Sequence, residues 1–229
     1  MSTPATLGWW EGGEAFFAGA LDRLTVPDLA RPSLLPGWSR RTVVAHVARN
    51  ADALVNLLTW ARTGEETPMY ASPADRDAAI AQTSRLPADE LLADCRAAAG
   101  RLGSAVRTLP EPAWAAEVRT AQGRVVPAAE VPWMRCREVW VHAVDLDTGA
   151  DFGGIPDDVL AALLDDVTRT WQRRDQAPEV AFTTGTRSWG AGPVTVTGAL
   201  PDLVAWASGR SPADRLTADG TPPALPAWL

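Results

Sequence analysis

The stretch VPWMRCREVWVHAVDLDTG, residues 131–149, decides how the rest of the chain is interpreted. Apolar side chains occur on nearly every side of a helix built from it, which is typical of a buried helix. Its polar side chains Glu138, His142 and Asp145 follow one another at spacings of four and three residues, so they share one face. A buried carboxylate and a buried imidazole both need partners, and a divalent cation satisfies both.

The chain contains two histidines, and the other one also lies in an apolar helical segment. His46 falls within RRTVVAHVARNADALVNLL, residues 40–58. Together with Glu138 and His142 it would give a zinc ion three ligands and leave one position open, as in catalytic zinc sites. That open position favours an anionic ligand such as a thiolate. Alternatively, Glu138 and His142 form a hydrogen-bonded pair and His46 is a core residue, and the spacing leaves both interpretations open.

Helical periodicity predicts four long helices joined by modest loops, which is the pattern of an antiparallel helix bundle. These helices are predicted over residues 5–24, from the N-cap Ser39 to about 62, over 88–109 and over 128–149. A short helix over residues 74–84 is expected before the third long one. We therefore expect a mainly α fold in the first two thirds of the chain.

The pattern changes after a further predicted helix over residues 156–174. The segments EVAFTT and GPVTVTG alternate like half-buried strands, and GTRSWGAG between them predicts a hairpin turn. A helix over residues 200–208 closed by Gly209 follows, and then a proline-rich tail, packed or loosely ordered. The sequence thus predicts a helical domain over residues 1–152 and a small α+β domain over residues 153–229.

Composition excludes several classes of function. The net charge of −7 argues against nucleic acid as a partner, and the chain has no lysine for Schiff-base chemistry. Cys95 and Cys136 lack the spacing of a cysteine metal site or a disulfide framework. The apolar runs are too short to span a membrane, and the start of the chain does not look like a secretory signal. We expect a cytoplasmic protein that binds small molecules, without a membrane partner.

Three motifs resemble those of the mycothiol-dependent maleylpyruvate isomerase family, within the DinB-like group of metal-binding four-helix bundles. They are LPGWSRRTVVAHVARN at residues 35–50, REVWVHAVDL at 137–146 and GALPDLVAWASGR at 198–210. The resemblance implies a DinB-like four-helix bundle followed by the small α+β domain. It also implies a zinc site formed by His46, Glu138 and His142, and a catalytic role for Arg210.

What the resemblance implies for activity is the cis-to-trans conversion of maleylpyruvate to fumarylpyruvate with zinc and mycothiol as cofactors. A thiolate would add to the double bond, the new single bond would rotate, and elimination would give the trans product. A mycothiol S-transferase, in which the thiolate stays attached to an electrophile, is the first alternative. A non-catalytic zinc-binding or thiol-sensing bundle is the second.

Four further residues have a functional and a structural interpretation. Asp145 is expected to orient a ligand histidine, with a surface or capping role as the competing possibility. Arg210 either grips a substrate carboxylate or caps the end of its helix. Arg135 and Arg137 flank the ligands and would meet an anion, form salt bridges or line the junction between the domains.

Overall fold

The computed structural model describes residues 3–228. The chain divides into two compact units, Met1–Ala150 and Asp151–Leu229. The first unit contains two short strands and five α-helices among its described residues. The helices are α1 (Thr3–Asp22), α2 (Arg40–Thr63), α3 (Pro73–Thr83), α4 (Ala88–Arg107) and α5 (Val131–Asp145).

Four of these helices form a bundle. Helix α1 packs along α5, α2 packs against both α4 and α5, and the short α3 lies on α2. The core between them is almost entirely aliphatic and aromatic, with residues such as Leu54, Leu102 and Val139 fully buried. This is the arrangement of four long helices predicted from the apolar periodicity, and it brings α2 and α5, which carry the two histidines, into direct contact.

Helix α2 begins and ends where the sequence predicts. The hydroxyl of Ser39 accepts a hydrogen bond from the backbone N–H of Thr42, which makes Ser39 the N-cap. At the other end Gly64 has a φ of 76°, the left-handed conformation that glycine adopts without a steric penalty. Both termini are therefore set by local chemistry.

Helix α5 is shorter than predicted at both ends. Residues Ala128–Glu130 form a separate 3₁₀ turn instead of the first turn of the helix. At the other end Asp147, with a φ of 51°, leaves the helical conformation before Gly149 is reached. Aspartate tolerates the left-handed region better than most residues, so the helix ends before the glycine that was predicted to end it.

Helices α1 and α5 approach each other closely at Gly13. A Cβ atom at this position would lie 2.6 Å from Cγ2 of Val139 and 2.8 Å from Nε1 of Trp140. The same indole nitrogen donates a hydrogen bond of 2.9 Å to the carbonyl oxygen of Trp9. A larger side chain at position 13 would displace α5 immediately beside Glu138.

A two-stranded hairpin in the first unit was not predicted. Strands β1 (Glu117–Arg119) and β2 (Val125–Pro127) pair antiparallel, with Val118 opposite Val126. Each strand has three residues and buries one valine, so its alternation is too short to be recognised in the sequence.

The second unit contains two helices and a four-stranded sheet. The helices are α6 (Asp157–Arg173) and α7 (Leu200–Ala207), and the strands are β3 (Val180–Thr183), β4 (Ser188–Ala191), β5 (Val194–Thr197) and β6 (Thr217–Ala218). The strand order is β4-β3-β5-β6. The described part of the C-terminal tail is packed. Strand β6 pairs with β5, and Trp228 is buried, with its indole N–H donating to Asp166 at 3.1 Å.

The predicted hairpin between the two apolar segments is wrong, because β3 and β5 are parallel. The segment that was predicted as a turn contains β4, which pairs antiparallel with β3 and buries Trp189 opposite Phe182. The chain then crosses the start of β3 at Gly192, where a Cβ atom would collide with the backbone of Glu179. The close approach requires glycine there, and the burial of Trp189 favours a strand over a turn.

No helix in the described part of the chain is both long and apolar enough to cross a membrane.

Candidate metal centre

Three donor side chains from α2 and α5 meet at one point. Nε2 of His46 lies 2.9 Å from Oε2 of Glu138, and Nε2 of His142 lies 3.2 Å from the same oxygen. The candidate ligand atoms of the three residues all lie within 4.8 Å of one another. Two imidazole nitrogens and one carboxylate oxygen therefore converge on a single small volume.

The local sequence explains why these side chains converge. On α5, the spacing of four residues places His142 one turn above Glu138 on the same face. On α2, His46 is buried between Ala45 and Val47, both fully buried. Because α2 packs directly on α5, the imidazole of His46 is held against the polar face of the facing helix.

The pKa values follow from burial and from the hydrogen bonds between the three groups. Burial lowers the pKa of His46, which favours its neutral form. Burial also lowers the pKa of His142, but hydrogen bonds to Asp145 and Glu138 outweigh burial, so this pKa is raised. Burial raises the pKa of Glu138, but hydrogen bonds with His142 and His46 hold it well below its ordinary value. The carboxylate is therefore anionic.

Asp145 lies behind His142. Its Oδ2 is 2.8 Å from Nδ1 of His142, and the side chain is completely buried. A carboxylate on Nδ1 fixes the ring orientation and favours the tautomer whose Nε2 is free to bind a metal ion. The contact is the one expected of a residue that orients a ligand, and that role for Asp145 stays a prediction.

The three side chains fit a divalent metal ion. Neutral imidazole nitrogens and a carboxylate oxygen are the donors found in catalytic zinc sites, where three protein ligands leave one position for water or substrate. A cation would also neutralise the buried charge of Glu138. The assignment of His46, Glu138 and His142 as metal ligands remains a prediction.

Arg135 forms a buried ion pair and does not face an anion from solution. The side chain is 1% exposed, and Nε donates to Oε1 of Glu14 at 2.7 Å. Its Nη1 donates to the carbonyl oxygen of Val47 at 2.7 Å and to Oδ1 of Asn50 at 3.0 Å. Of the interpretations of Arg135, the structure supports the salt bridge.

Two polar side chains beside this cluster were not predicted from the sequence. Nη2 of Arg76, on α3, lies 3.4 Å from Nδ1 of His46. Tyr70 lies in the same environment, where burial and the charge of Glu138 raise the pKa of its hydroxyl and the side chain of Arg76 lowers it. Tyr70 is the single tyrosine of the chain, and this uniqueness could have marked it as a candidate site residue. Arg76 is one of 21 arginines, and its sequence context does not distinguish it.

Comparisons with known proteins identify the family. Residues 10–147 match the family model described as "Mycothiol maleylpyruvate isomerase N-terminal domain". The crystal structure of a mycothiol-dependent maleylpyruvate isomerase superposes with a TM-score of 0.94 at 40% identity, covering 100% of this chain and 98% of that one.

The chain belongs to the mycothiol maleylpyruvate isomerase family. It is an isomerase-like enzyme, as the resemblance of its motifs predicted. A mutant of the same solved isomerase gives a TM-score of 0.94 at 39% identity, with the same coverage of both chains. Among curated proteins, none matches this chain.

A more distant structure supports the fold alone. YfiT from Bacillus subtilis, which has an unusual four-helix bundle topology, shows a TM-score of 0.52 at 21% identity. The alignment covers 64% of this chain and 86% of that one. Together with the isomerases of the family, it confirms the predicted mainly α fold with a DinB-like four-helix bundle.

Arg210 lies in the second unit, directly after α7. Gly209 has a φ of 77°, and the backbone N–H of Arg210 donates to the carbonyl oxygen of Ala205 at 2.8 Å, which closes the helix. Nη1 of Arg210 donates to the carbonyl oxygen of Ser208 at 2.6 Å. The second contact is the one that a capping role requires, and the role of Arg210 in catalysis stays a prediction.

Both cysteines are buried, and neither forms a disulfide within the described part of the chain. Burial raises the pKa of Cys95 to about 12, so this thiol stays protonated at neutral pH. Cys136 lies on α5 and is completely inaccessible. Neither environment resembles the electropositive, accessible setting of a reactive cysteine.

Proposed function

We propose that this protein is a zinc- and mycothiol-dependent isomerase that converts maleylpyruvate to fumarylpyruvate. The observation that carries the proposal is the convergence of Nε2 of His46, Nε2 of His142 and Oε2 of Glu138 on one point. In a member of this family, the arrangement supports one metal ion with an open position for a thiol.

The cofactors would supply the chemistry that the protein's own groups lack. Zinc held by His46, Glu138 and His142 would lower the pKa of a thiol, and mycothiol would supply the sulfur that adds to the double bond and leaves again after rotation about the single bond. One carbon–sulfur bond would form and the same bond would break. The thiol would be regenerated, so the reaction would require no oxidant and would transfer no group.

The residues of the chain hold and orient these components. His46, Glu138 and His142 would bind the metal, and Asp145 would keep the ring of His142 in position through its contact of 2.8 Å with Nδ1. The indole of Trp38 packs edge-on against the imidazole of His46, with 5.4 Å between ring centroids, and limits the freedom of that ring. Arg210 would bind a carboxylate of the substrate.

The proposed substrate and cofactor indicate which partners and which cellular compartment to expect. Maleylpyruvate and mycothiol are small anionic or polar molecules, so we expect small-molecule partners and no nucleic acid. A free thiol cofactor requires a reducing compartment, and we therefore propose a cytoplasmic location.

One experiment separates this activity from its alternatives. The zinc-loaded protein is incubated with maleylpyruvate, or with a generic thiol-reactive electrophile, in the presence of mycothiol or of glutathione. The products are identified by NMR, which distinguishes cis and trans isomers, and by mass, which detects thiol adducts. With mycothiol we expect fumarylpyruvate, of unchanged mass and trans geometry. A lasting thiol adduct would instead identify an S-transferase, and tight zinc binding without any turnover would identify a non-catalytic bundle. His46→Ala is the matched control, which should lose both zinc and turnover.

A further inference from the structure

The guanidinium of Arg76 borders the candidate metal centre on the side of His46 that faces away from Glu138. Its Nη2 lies 3.4 Å from Nδ1 of His46, while Nε2 of the same ring faces Glu138. The Arg76 side chain is 31% exposed, so a molecule from solution can reach it. The site therefore has a cation at its accessible edge.

The ion pair between Arg76 and Asp77 holds the guanidinium only weakly. Nη1 donates to Oδ1 of Asp77 at 2.8 Å, but the side chain of Asp77 is 72% exposed. Exposed pairs of this kind contribute little because water competes for both charges. An anion that offers two oxygens can compete for the guanidinium because it accepts two parallel hydrogen bonds.

Tyr70 adds a neutral donor next to this cation. The tyrosine is half-buried, and its hydroxyl interacts with the side chain of Arg76, which lowers the pKa of the phenol. Burial, together with the charge of Glu138, raises the pKa of Tyr70 to about 12, so the hydroxyl keeps its proton. A guanidinium and a phenol hydroxyl together form a set of donors suited to a carboxylate.

The tautomer of His46 links this pair to the metal centre. Nδ1 can accept a hydrogen bond from Arg76 only when the proton of the neutral ring is on Nε2, where it faces Glu138. If Nε2 of His46 held a metal ion, that nitrogen would carry no proton, and the proton of the neutral ring would lie on Nδ1. Nδ1 would then be a donor, and Nη2 of Arg76 would be available to another acceptor.

We propose that Arg76, supported by Tyr70, forms a carboxylate-binding subsite beside the His46–Glu138–His142 cluster, and that it selects small dicarboxylate substrates. The identification of the bound carboxylate as part of the substrate rests on the function proposed above. In this arrangement Arg76 contacts the substrate and binds no metal.

The test measures anion binding without turnover. Maleate, a small cis-dicarboxylate, is titrated into zinc-loaded protein by calorimetry in the absence of any thiol, and zinc content is measured for each variant. Arg76→Gln should keep its zinc and bind maleate at least ~10-fold more weakly, a loss of about 1.4 kcal/mol. Tyr70→Phe, which removes one donor, should cause a smaller loss. Arg85→Gln removes the same charge from another exposed arginine and should bind maleate like the wild type.

The outcomes are separable. If Arg76→Gln binds maleate as tightly as the wild type, or if the wild type does not bind it, the subsite is wrong. If Arg76→Gln loses zinc, the maleate titration is repeated with Arg76→Lys. Lysine keeps the positive charge but cannot donate two parallel hydrogen bonds, so this variant should retain zinc and bind maleate more weakly. If maleate binding depends on Arg76 but no thiol isomerises maleylpyruvate, the subsite stands and the proposed function fails.

Discussion

Arg135 donates from Nη1 to the backbone carbonyl oxygen of Val47 over 2.7 Å, and Val47 directly follows His46 on α2. From Nε the same guanidinium donates to Glu14 on α1, also over 2.7 Å. One buried side chain of α5, three residues before Glu138, thus joins the helices that carry the candidate ligands and ties both to α1. The ion pair is an internal link of the bundle.

Replacing Arg135 should therefore destabilise the bundle strongly. Arg135→Met leaves the carboxylate of Glu14 without its buried partner, and we expect a loss of about 3 to 5 kcal/mol in the free energy of unfolding. Urea denaturation in the presence of a chelator measures this loss without a metal contribution. Arg101→Met is the control, because Arg101 pairs with Asp52 on the surface, where a loss below about 1 kcal/mol is expected. Equal losses in both variants would contradict the proposed importance of burial.

The metal site predicts one zinc ion per chain. His46→Ala and His142→Ala should each lower zinc occupancy after dialysis, because each removes one of three ligands. Since ligation requires neutral histidine, zinc should also dissociate as the pH falls through and below about 6.5. Elemental analysis at several pH values measures both effects. Full occupancy in both variants would remove the two histidines from the site.

Asp145 should affect zinc affinity without being a ligand. Asp145→Asn keeps the shape of the side chain but removes the charge that holds Nδ1 of His142 at 2.8 Å, and we expect a loss of about 10- to 100-fold in zinc affinity. Competition with a chromogenic chelator gives the dissociation constants. Asp147→Asn is a matched control two residues away, since Asp147 is exposed and pairs with Arg40. An unchanged affinity in Asp145→Asn would reduce Asp145 to a structural partner.

The two cysteines should be dispensable for activity. Cys95→Ser and Cys136→Ser should keep thiol-dependent turnover, because in the proposed reaction the nucleophile comes from the cofactor. A folded but inactive cysteine variant would contradict the proposed mechanism.

The raised pKa of Cys95 predicts a pH dependence of stability. This thiol stays protonated when the protein is folded and ionises above about pH 8.5 when it is unfolded. Its contribution to stability is therefore complete below that pH and decreases as the pH rises toward about 12. Urea midpoints of the wild type and of Cys95→Ser between about pH 7.5 and about pH 10 should converge.

Arg210 has a prediction that distinguishes catalysis from capping. Arg210→Lys should keep the zinc content and melting temperature but lose at least ~10-fold in kcat/KM, because lysine cannot offer two parallel hydrogen bonds to a carboxylate. Arg215→Lys, an exposed arginine in the same unit, is the control and should behave like the wild type. If the kinetics of Arg210→Lys match those of the wild type, Arg210 caps its helix through the contact with Ser208 and has no role in catalysis.

Local chemistry explains which parts of the fold were predictable. Ser39 and Gly64 set the ends of α2 through bonds within a few residues, so its predicted limits were correct. The hairpin prediction failed because the partner of β3 depends on the burial of Trp189 and on a crossing at Gly192, and the alternation of apolar residues reports neither. Pairing between distant segments is decided by packing, which residue periodicity does not describe.

The same distinction applies to the candidate site. The spacing of Glu138 and His142 on one helix face was readable from the sequence, whereas His46 required that α2 and α5 be neighbours. Arg76 could not be found because its role depends on where α3 places it against His46, and nothing in its sequence context separates it from the other arginines.

The contact between Gly13 and α5 affects how the candidate site can change during evolution. Glu138 immediately precedes the two residues, Val139 and Trp140, against which the backbone of Gly13 is pressed. A methyl group added at position 13 would push on Val139 and on the indole of Trp140, and would move the carboxylate of Glu138 relative to the imidazole on α2 while the three candidate ligands stay unchanged. Substitution of Gly13 is thus a way to alter the spacing of the candidate ligands, and with it the metal or thiol that the proposed site would accept, without replacing any of them.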